Sequence, residues 1–189
     1  MIKALLFLLF PALVLGQLNK DKSSALQVHN DARKEVGVLP LVWSKNLEDQ
    51  ALKYAKQIAR TNNYEHSDTK DGENLAMFYE FKISNEFKTY IYSETPLYDA
   101  SMGWYNEVKD YKYSKIKRYR IGPKVGHYTQ MVWKDTKEVG IASAISKNGK
   151  VYVVARYYPA GNYLGEYPYY TKGVSFSFDL AIIVESYLV

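Results

Sequence analysis

Between residues 23 and 37, Leu26, His29, Arg33 and Val36 recur at the three-to-four-residue spacing of one helical face. Ser23 or Ser24 is placed to cap that helix, and Gly37 to stop it. After a short apolar connection through Pro40, Leu41 and Trp43, Ser44 precedes a second stripe of Leu47, Ala51, Tyr54, Ala55 and Ile58. Glu48 and Asp49 lie near its start, where the helix dipole favours negative charge. Polar residues from Thr61 to Gly72 interrupt the pattern, and Glu73–Phe78 reads as a short helical turn. No period is visible from Tyr79 to Glu94, which predicts irregular structure. Thr95-Pro96 then has the form of an N-cap followed by proline at the first helical position. Leu97, Ala100, Ser101, Trp104, Glu107, Val108 and Tyr111 share the face that follows.

The second half changes period. VGIASAI (139–145) and VYVVARYY (151–158) predict strands, joined through Lys147-Asn148-Gly149-Lys150, and Asn-Gly between such runs is a strong hairpin signal. Helices first and antiparallel strands later predict an α+β domain with helices covering the sheet. In the tail, Val174, Phe176, Phe178, Leu180, Ile182 and Val184 alternate with more polar positions, the period of a half-buried strand. Asp179 and Glu185 exclude a membrane-spanning reading of that stretch.

Composition adds three constraints. The N-terminal MIKALLFLLFPALVLG has Lys3, an apolar run from Ala4 to Leu15 and the small Gly16, the layout of a secretory signal cleaved after Gly16. That predicts a secreted, extracellular protein. The 189 residues contain no cysteine, which excludes disulfides, thiolate nucleophiles and cysteine metal sites, so the core alone must hold the domain. The formal charge is +5, yet no zinc finger, RNA-recognition pattern or recognition helix is present, so no nucleic-acid partner is expected.

Candidate chemistry is confined to a few polar side chains. His66 lies in YEHSD, Glu73 in DGENLA, Glu107 on the apolar face of the third predicted helix, and His127 in GHYTQMVW. A glutamate on an apolar face is costly unless paired or bound to a cation. Two imidazoles can donate ligands to Zn2+ or another divalent cation. Each carboxylate can orient an imidazole or bind the metal directly; the alternative is an internal hydrogen-bonded network without metal. A zinc-bound water with a glutamate base is a legitimate hydrolase, but Ser101, Ser114 and Thr129 have no evident Ser-His-Asp partners. Tyr128 and Gln130 read as cleft or core residues.

GHYTQMVW, GENLA, the HN-x-x-R of residues 29–33, WYNE at 104–107 and ARYYPAGN at 155–162 occur in an order that strongly resembles the CAP superfamily of pathogenesis-related-1 proteins, venom allergens and cysteine-rich secretory proteins. The resemblance is nearest to the cysteine-poor members of the Golgi-associated type and spans residues 24–165. It implies an α-β-α sandwich, a three-stranded antiparallel sheet between helical layers. The expected organisation is then a signal peptide at 1–16, a CAP domain at 17–165 and an apolar-alternating extension at 166–189. The resemblance also maps the family's cavity tetrad onto His66, Glu73, Glu107 and His127. It leaves His29, Asn30 and Arg33 as structural hydrogen-bonding groups, and it implies binding rather than catalysis.

In relatives that bind sterol, an aromatic loop lies between the WYxE helix and the GHYTQ segment. Here Tyr111 and Tyr113 keep the aromatic character, but the continuation is SKIKRYRIGPK. Residues 109–124 hold five lysines and two arginines against Asp110 alone. Such a run is either a solvated face or a patch for an anionic membrane surface, a glycan or a protein receptor, with Ile116, Lys117, Arg118, Tyr119 and Arg120 at its centre. The resulting expectation is a secreted, non-enzymatic CAP protein, monomer or weak homodimer, that binds a small lipid such as a sterol or fatty acid, or a surface partner. A divalent-metal hydrolase and a defence or venom-type effector are the alternatives.

Overall fold

The computed structural model describes residues 5–84, 87–118 and 121–170, with side chains from Gln17 onward except Leu18. In chain order the elements are α1 (Leu5–Val36), β1 (Val42–Trp43), α2 (Lys45–Thr61), β2 (Gly72–Phe78), β3 (Glu80–Ser84), β4 (Phe87–Ile91), α3 (Pro96–Tyr105), a 3-10 segment (Asn106–Asp110), α4 (Gly126–Met131), β5 (Glu138–Ile145) and β6 (Val151–Tyr158).

The main sheet has the order β1-β5-β6-β2. Its β5, β6 and β2 are antiparallel, as the family resemblance implies, and the two-residue β1 adds a short parallel edge. Both faces are covered, so Val151 to Tyr157 of β6 is buried throughout. On one face Val139, Ile141, Val153, Ala155 and Tyr157 join Ala25 and Ala32 of α1, Leu97 and Trp104 of α3, and Met131 of α4. On the other, Leu75, Ala142, Tyr152 and Val154 meet Ala51, Ala55 and Ile58 of α2. Burying apolar surface on both sides of one sheet makes the α-β-α sandwich.

Four local expectations are corrected. α1 runs through Ser23 and Ser24 instead of starting there, and the Ser23 hydroxyl bonds back to Lys20 O as a mid-helix serine does. Gly72–Phe78 is a strand, because full pairing with β6 from Gly72↔Tyr157 to Phe78↔Val151 outweighs local helical preference. The stretch after Tyr79 forms the separate β3–β4 hairpin. Thr95 makes no side-chain cap; instead Asp21 of α1 accepts the amides of Leu97 (3.1 Å) and Tyr98 (2.9 Å), tying α1 to the start of α3.

The β5–β6 hairpin forms as its sequence predicts, with Gly149 at φ +81° in the connection. The alternating tail from residue 171 onward lies outside the described residues, as do Tyr119 and Arg120.

Candidate functional site

β2 is the edge strand of the main sheet, and consecutive residues on it point to opposite faces. Glu73 turns toward the α2 side and Asn74 toward the other, so the polar groups beside β2 come from both layers. On the first side, Glu73 Oε1 accepts from His66 Nδ1 (2.6 Å) and from the Ser67 amide (3.0 Å). Its Oε2 accepts from the Ser67 hydroxyl (2.8 Å) and faces Arg156 Nη1 at 3.0 Å.

On the second side, α3 gives way after Tyr105 to the 3-10 turn, and that change of pitch aims Glu107 at the N-terminus of α4. Glu107 Oε2 accepts the amides of His127 (2.9 Å) and Tyr128 (3.1 Å), and Oε1 accepts from His127 Nδ1 (2.7 Å). The carboxylate therefore supplies the cap that the short α4 otherwise lacks.

The two pairs share one electrostatic logic. Burial alone would push both carboxyls up. For Glu73 the His66 and Ser67 bonds and Arg156 outweigh that, and for Glu107 the His127 bond and charge and the two amides do so; both are held below their ordinary range. Each imidazole is turned by its carboxylate so that Nδ1 donates inward, and no described residue bonds Nε2.

Beneath the site runs a buried polar chain. His29 Nδ1 lies 2.8 Å from Ala25 O, and a carbonyl can only accept, so Nδ1 carries the proton. Nε2 then accepts from the Tyr157 hydroxyl (2.8 Å), which in turn accepts from Asn74 Nδ2 (3.0 Å). The same Asn74 amide donates to His127 O at 3.1 Å, so α1 is linked to the backbone of the cleft histidine. Nearby, Arg33 donates to the carbonyls of Leu39, Met131, Trp133 and Thr136, and Asn30 both donates to and accepts from the backbone of Leu41. The structural reading of His29, Asn30 and Arg33 agrees with these bonds. Tyr128 and Gln130 are core residues, each 2% exposed.

Segment 111–118 is the other wall. Its backbone exchanges hydrogen bonds with the residues after β6, Ile116 N to Glu166 O (2.8 Å) and Gly165 N to Ile116 O (2.9 Å). A run of tyrosine rings braces it: Tyr128 against Tyr111 (5.4 Å), Tyr111 against Tyr169 (6.3 Å), and Tyr113 between Tyr169 (5.1 Å) and Tyr167 (4.8 Å). Thus Tyr113 packs outward against the chain that follows β6.

His66, Glu73, Asn74 and His127 line a cleft of about 550 Å³ that is also lined by Tyr111, Lys112, Lys115, Ile116, Lys117, Arg118 and Lys124. The polar set and the basic run, unrelated in sequence, thus face one space. Glu107 stands behind His127. Sequence reasoning missed Arg156 and Asn74, although ARYYPAGN and GENLA contain them; the signal was a charged residue inside an apolar strand run.

No group of three or more histidine, aspartate and glutamate side chains converges on one point among the described residues. With both carboxylates bound to imidazole and backbone, the donor set offers a divalent ion two imidazole Nε2 atoms. It does not fit a closed four-ligand structural centre.

A model of the CAP family, described as the cysteine-rich secretory protein family, matches residues 26–157. The chain is similar to the Golgi-associated plant pathogenesis-related protein 1 of Homo sapiens, 35% identical over 148 residues that cover 76% of this chain and 86% of that protein. It is likewise similar to pathogenesis-related leaf protein 4 of Solanum lycopersicum, 38% identical over 145 residues covering 76% and 80%. Among solved structures, Na-ASP-1 shares the fold with a TM-score of 0.66 and 25% identity over 80% of this chain and 41% of that protein, so this chain spans less than half of it.

Proposed function

From a chain that belongs to the CAP family, the cysteine-rich secretory proteins, we propose a secreted, non-enzymatic carrier whose edge-strand cleft takes a small lipid with an anionic head group. The observation that carries this reading is the shared cleft. Lys112, Lys115, Lys117, Arg118 and Lys124 line the same cleft as Tyr111, Ile116 and Val125, so cations and apolar side chains are presented together. An anionic head finds charge partners there while an acyl chain covers the apolar surface. This favours a fatty acid over a neutral sterol.

His66 and His127 would hold a divalent cation such as zinc through Nε2, the nitrogens their carboxylates leave outward. When bound, the ion supplies a further positive centre for the anionic head. A metal hydrolase needs a carboxylate free to take a proton from water. Glu73 and Glu107 are each already committed to an imidazole Nδ1 and to backbone N–H groups, which supports binding over catalysis.

The secretory reading is supported by residues 1–16 and by the family. Cleavage after Gly16 would leave Gln17–Val36 of α1, with the buried Asp21, Ala25, His29, Ala32 and Arg33 intact.

The test is a paired titration of the purified protein with a long-chain fatty acid and the alcohol of equal length. The acid should bind more tightly, and Lys117→Glu with Arg118→Glu should weaken the acid at least about tenfold while leaving the alcohol unchanged, since a lost charge contact is worth more than about 1.4 kcal/mol. Equal affinity for acid and alcohol in both proteins would refute an anionic-head site.

A further inference from the structure

Among the described residues two arginines are buried, Arg33 and Arg156, and their surroundings differ. Arg33 donates to four backbone carbonyls. Arg156, 5% exposed on β6, has no such shell. Its Nε and Nη1 find no hydrogen-bond acceptor among the described residues. Nη1 lies 3.0 Å from Glu73 Oε2, an ion pair that is not a hydrogen bond. The Tyr54 ring lies 5.3 Å from its guanidinium carbon. A buried cation with so few partners is an expensive way to stabilise a sheet.

Its placement shows what it touches. Glu73 and Arg156 are directly opposite in the β2–β6 register, so the pairing of the two strands sets one against the other. Glu73 in turn holds Nδ1 of His66. His66 needs that hold. It lies in the coil between α2 and β2, outside any regular element, with 63% of its side chain exposed. His127, by contrast, belongs to α4 and has Glu107 bound to its own amide as well as its ring. Tyr54 braces the same segment twice, through Arg156 and through its hydroxyl on Glu65 O at 2.8 Å.

We propose that Arg156 is the positioning residue of the His66 side of the cleft, fixing Glu73 from behind so that His66 keeps its proton on Nδ1 and presents Nε2 to the ligand. An exposed imidazole left to itself prefers the proton on Nε2, which would block metal binding at that nitrogen. The cation behind Glu73 holds the carboxylate in place, so the tautomer is set by a residue that never meets the ligand. The consequence for ligand binding rests on the cleft function proposed above; the tautomer itself does not.

The experiment separates the two. With 15N-labelled histidine the protein has only three imidazoles, distinguishable by single substitutions. At pH 8, two-bond 15N–1H spectra report which ring nitrogens of each imidazole carry a proton. His66 should be Nδ1–H in the starting protein. In Arg156→Gln it should move toward the Nε2–H form, while His29 and His127 stay Nδ1–H and so verify that the fold is intact. Tyr54→Leu, which leaves the ion pair but removes the ring beneath the guanidinium, should give a partial shift, and it keeps the test available if Arg156→Gln fails to fold.

A zinc titration then reads the consequence. Arg156→Gln should lower affinity about 10–100-fold, and in a His66→Ala background the same change should cost nothing further. An unshifted His66 tautomer in both folded variants would overturn the proposal. Absence of zinc binding by the starting protein, with the tautomer shift present, would refute the metal reading of the cleft and leave the positioning role standing.

Discussion

His29 and Arg33, about one turn apart on α1, answer burial differently. Burial drives His29 down to about 4, with the nearby Arg33 charge adding to it and the Ala25 carbonyl opposing. Arg33, although burial lowers it to about 10, stays charged at neutral pH, and four carbonyls face it. Since unfolded His29 would titrate near 6.5, the folded state binds fewer protons between about 6.5 and 4, and stability is lost as pH falls through that window. The loss is about 3 kcal/mol, on the order of two and a half pKa units for a fully buried group. Glu73 and Glu107, both held low, add a loss of the same sign as pH falls further. Urea unfolding across this range should show the decline, and His29→Gln, which can still donate to Ala25 and accept from Tyr157, should remove the part between about 6.5 and 4. A flat profile in the unsubstituted protein would exclude a neutral buried His29. Among single residues, helical spacing put His29 and Arg33 on one face of α1, and the family motif left them as structural groups. The role of Arg156 was not legible, because it depends on which residue β6 places opposite Glu73.

At the scale of elements, legibility followed the range of the interactions. β5 and β6 are close in sequence and joined by Asn148-Gly149, so their hairpin could be read directly. β2 pairs with a strand about eighty residues later, and within Gly72–Phe78 nothing local announces that partner. The α2–sheet packing has an equally nonlocal condition at Gly140, where an added methyl would overlap the backbone of Leu47 and Glu48. Gly140→Ala should therefore push α2 off the sheet and cost about 1–3 kcal/mol, lowering Tm by about 2–4 °C per kcal/mol. Calorimetry showing an unchanged Tm would mean that α2 approaches β5 less closely than described. Among the described residues the β3–β4 hairpin pairs only with itself; it carries Ile83 and Phe87 largely exposed and meets the β5–β6 connection where Tyr90 covers Gly149.

For the whole molecule, the sandwich and its cysteine-free core were legible from periodicity and family motifs. The union of the His/Glu pairs with the basic run was not. Nothing in the sequence says that residues 111–118 are folded back by Gly165 and Glu166 and braced by a file of tyrosine rings until lysines face His66 and His127. That closure turns a charge run, ordinarily a solvated face, into one wall of a cleft. The central claim is that this cleft carries an anionic lipid. Native mass spectrometry of the protein secreted from eukaryotic cells, repeated after denaturation, tests it most directly. The account predicts excess mass that is released on denaturing, identifies as a fatty acid or another anionic lipid, and is absent from the Lys117→Glu, Arg118→Glu protein. Bare polypeptide mass, or a neutral sterol retained equally by both proteins, would contradict it.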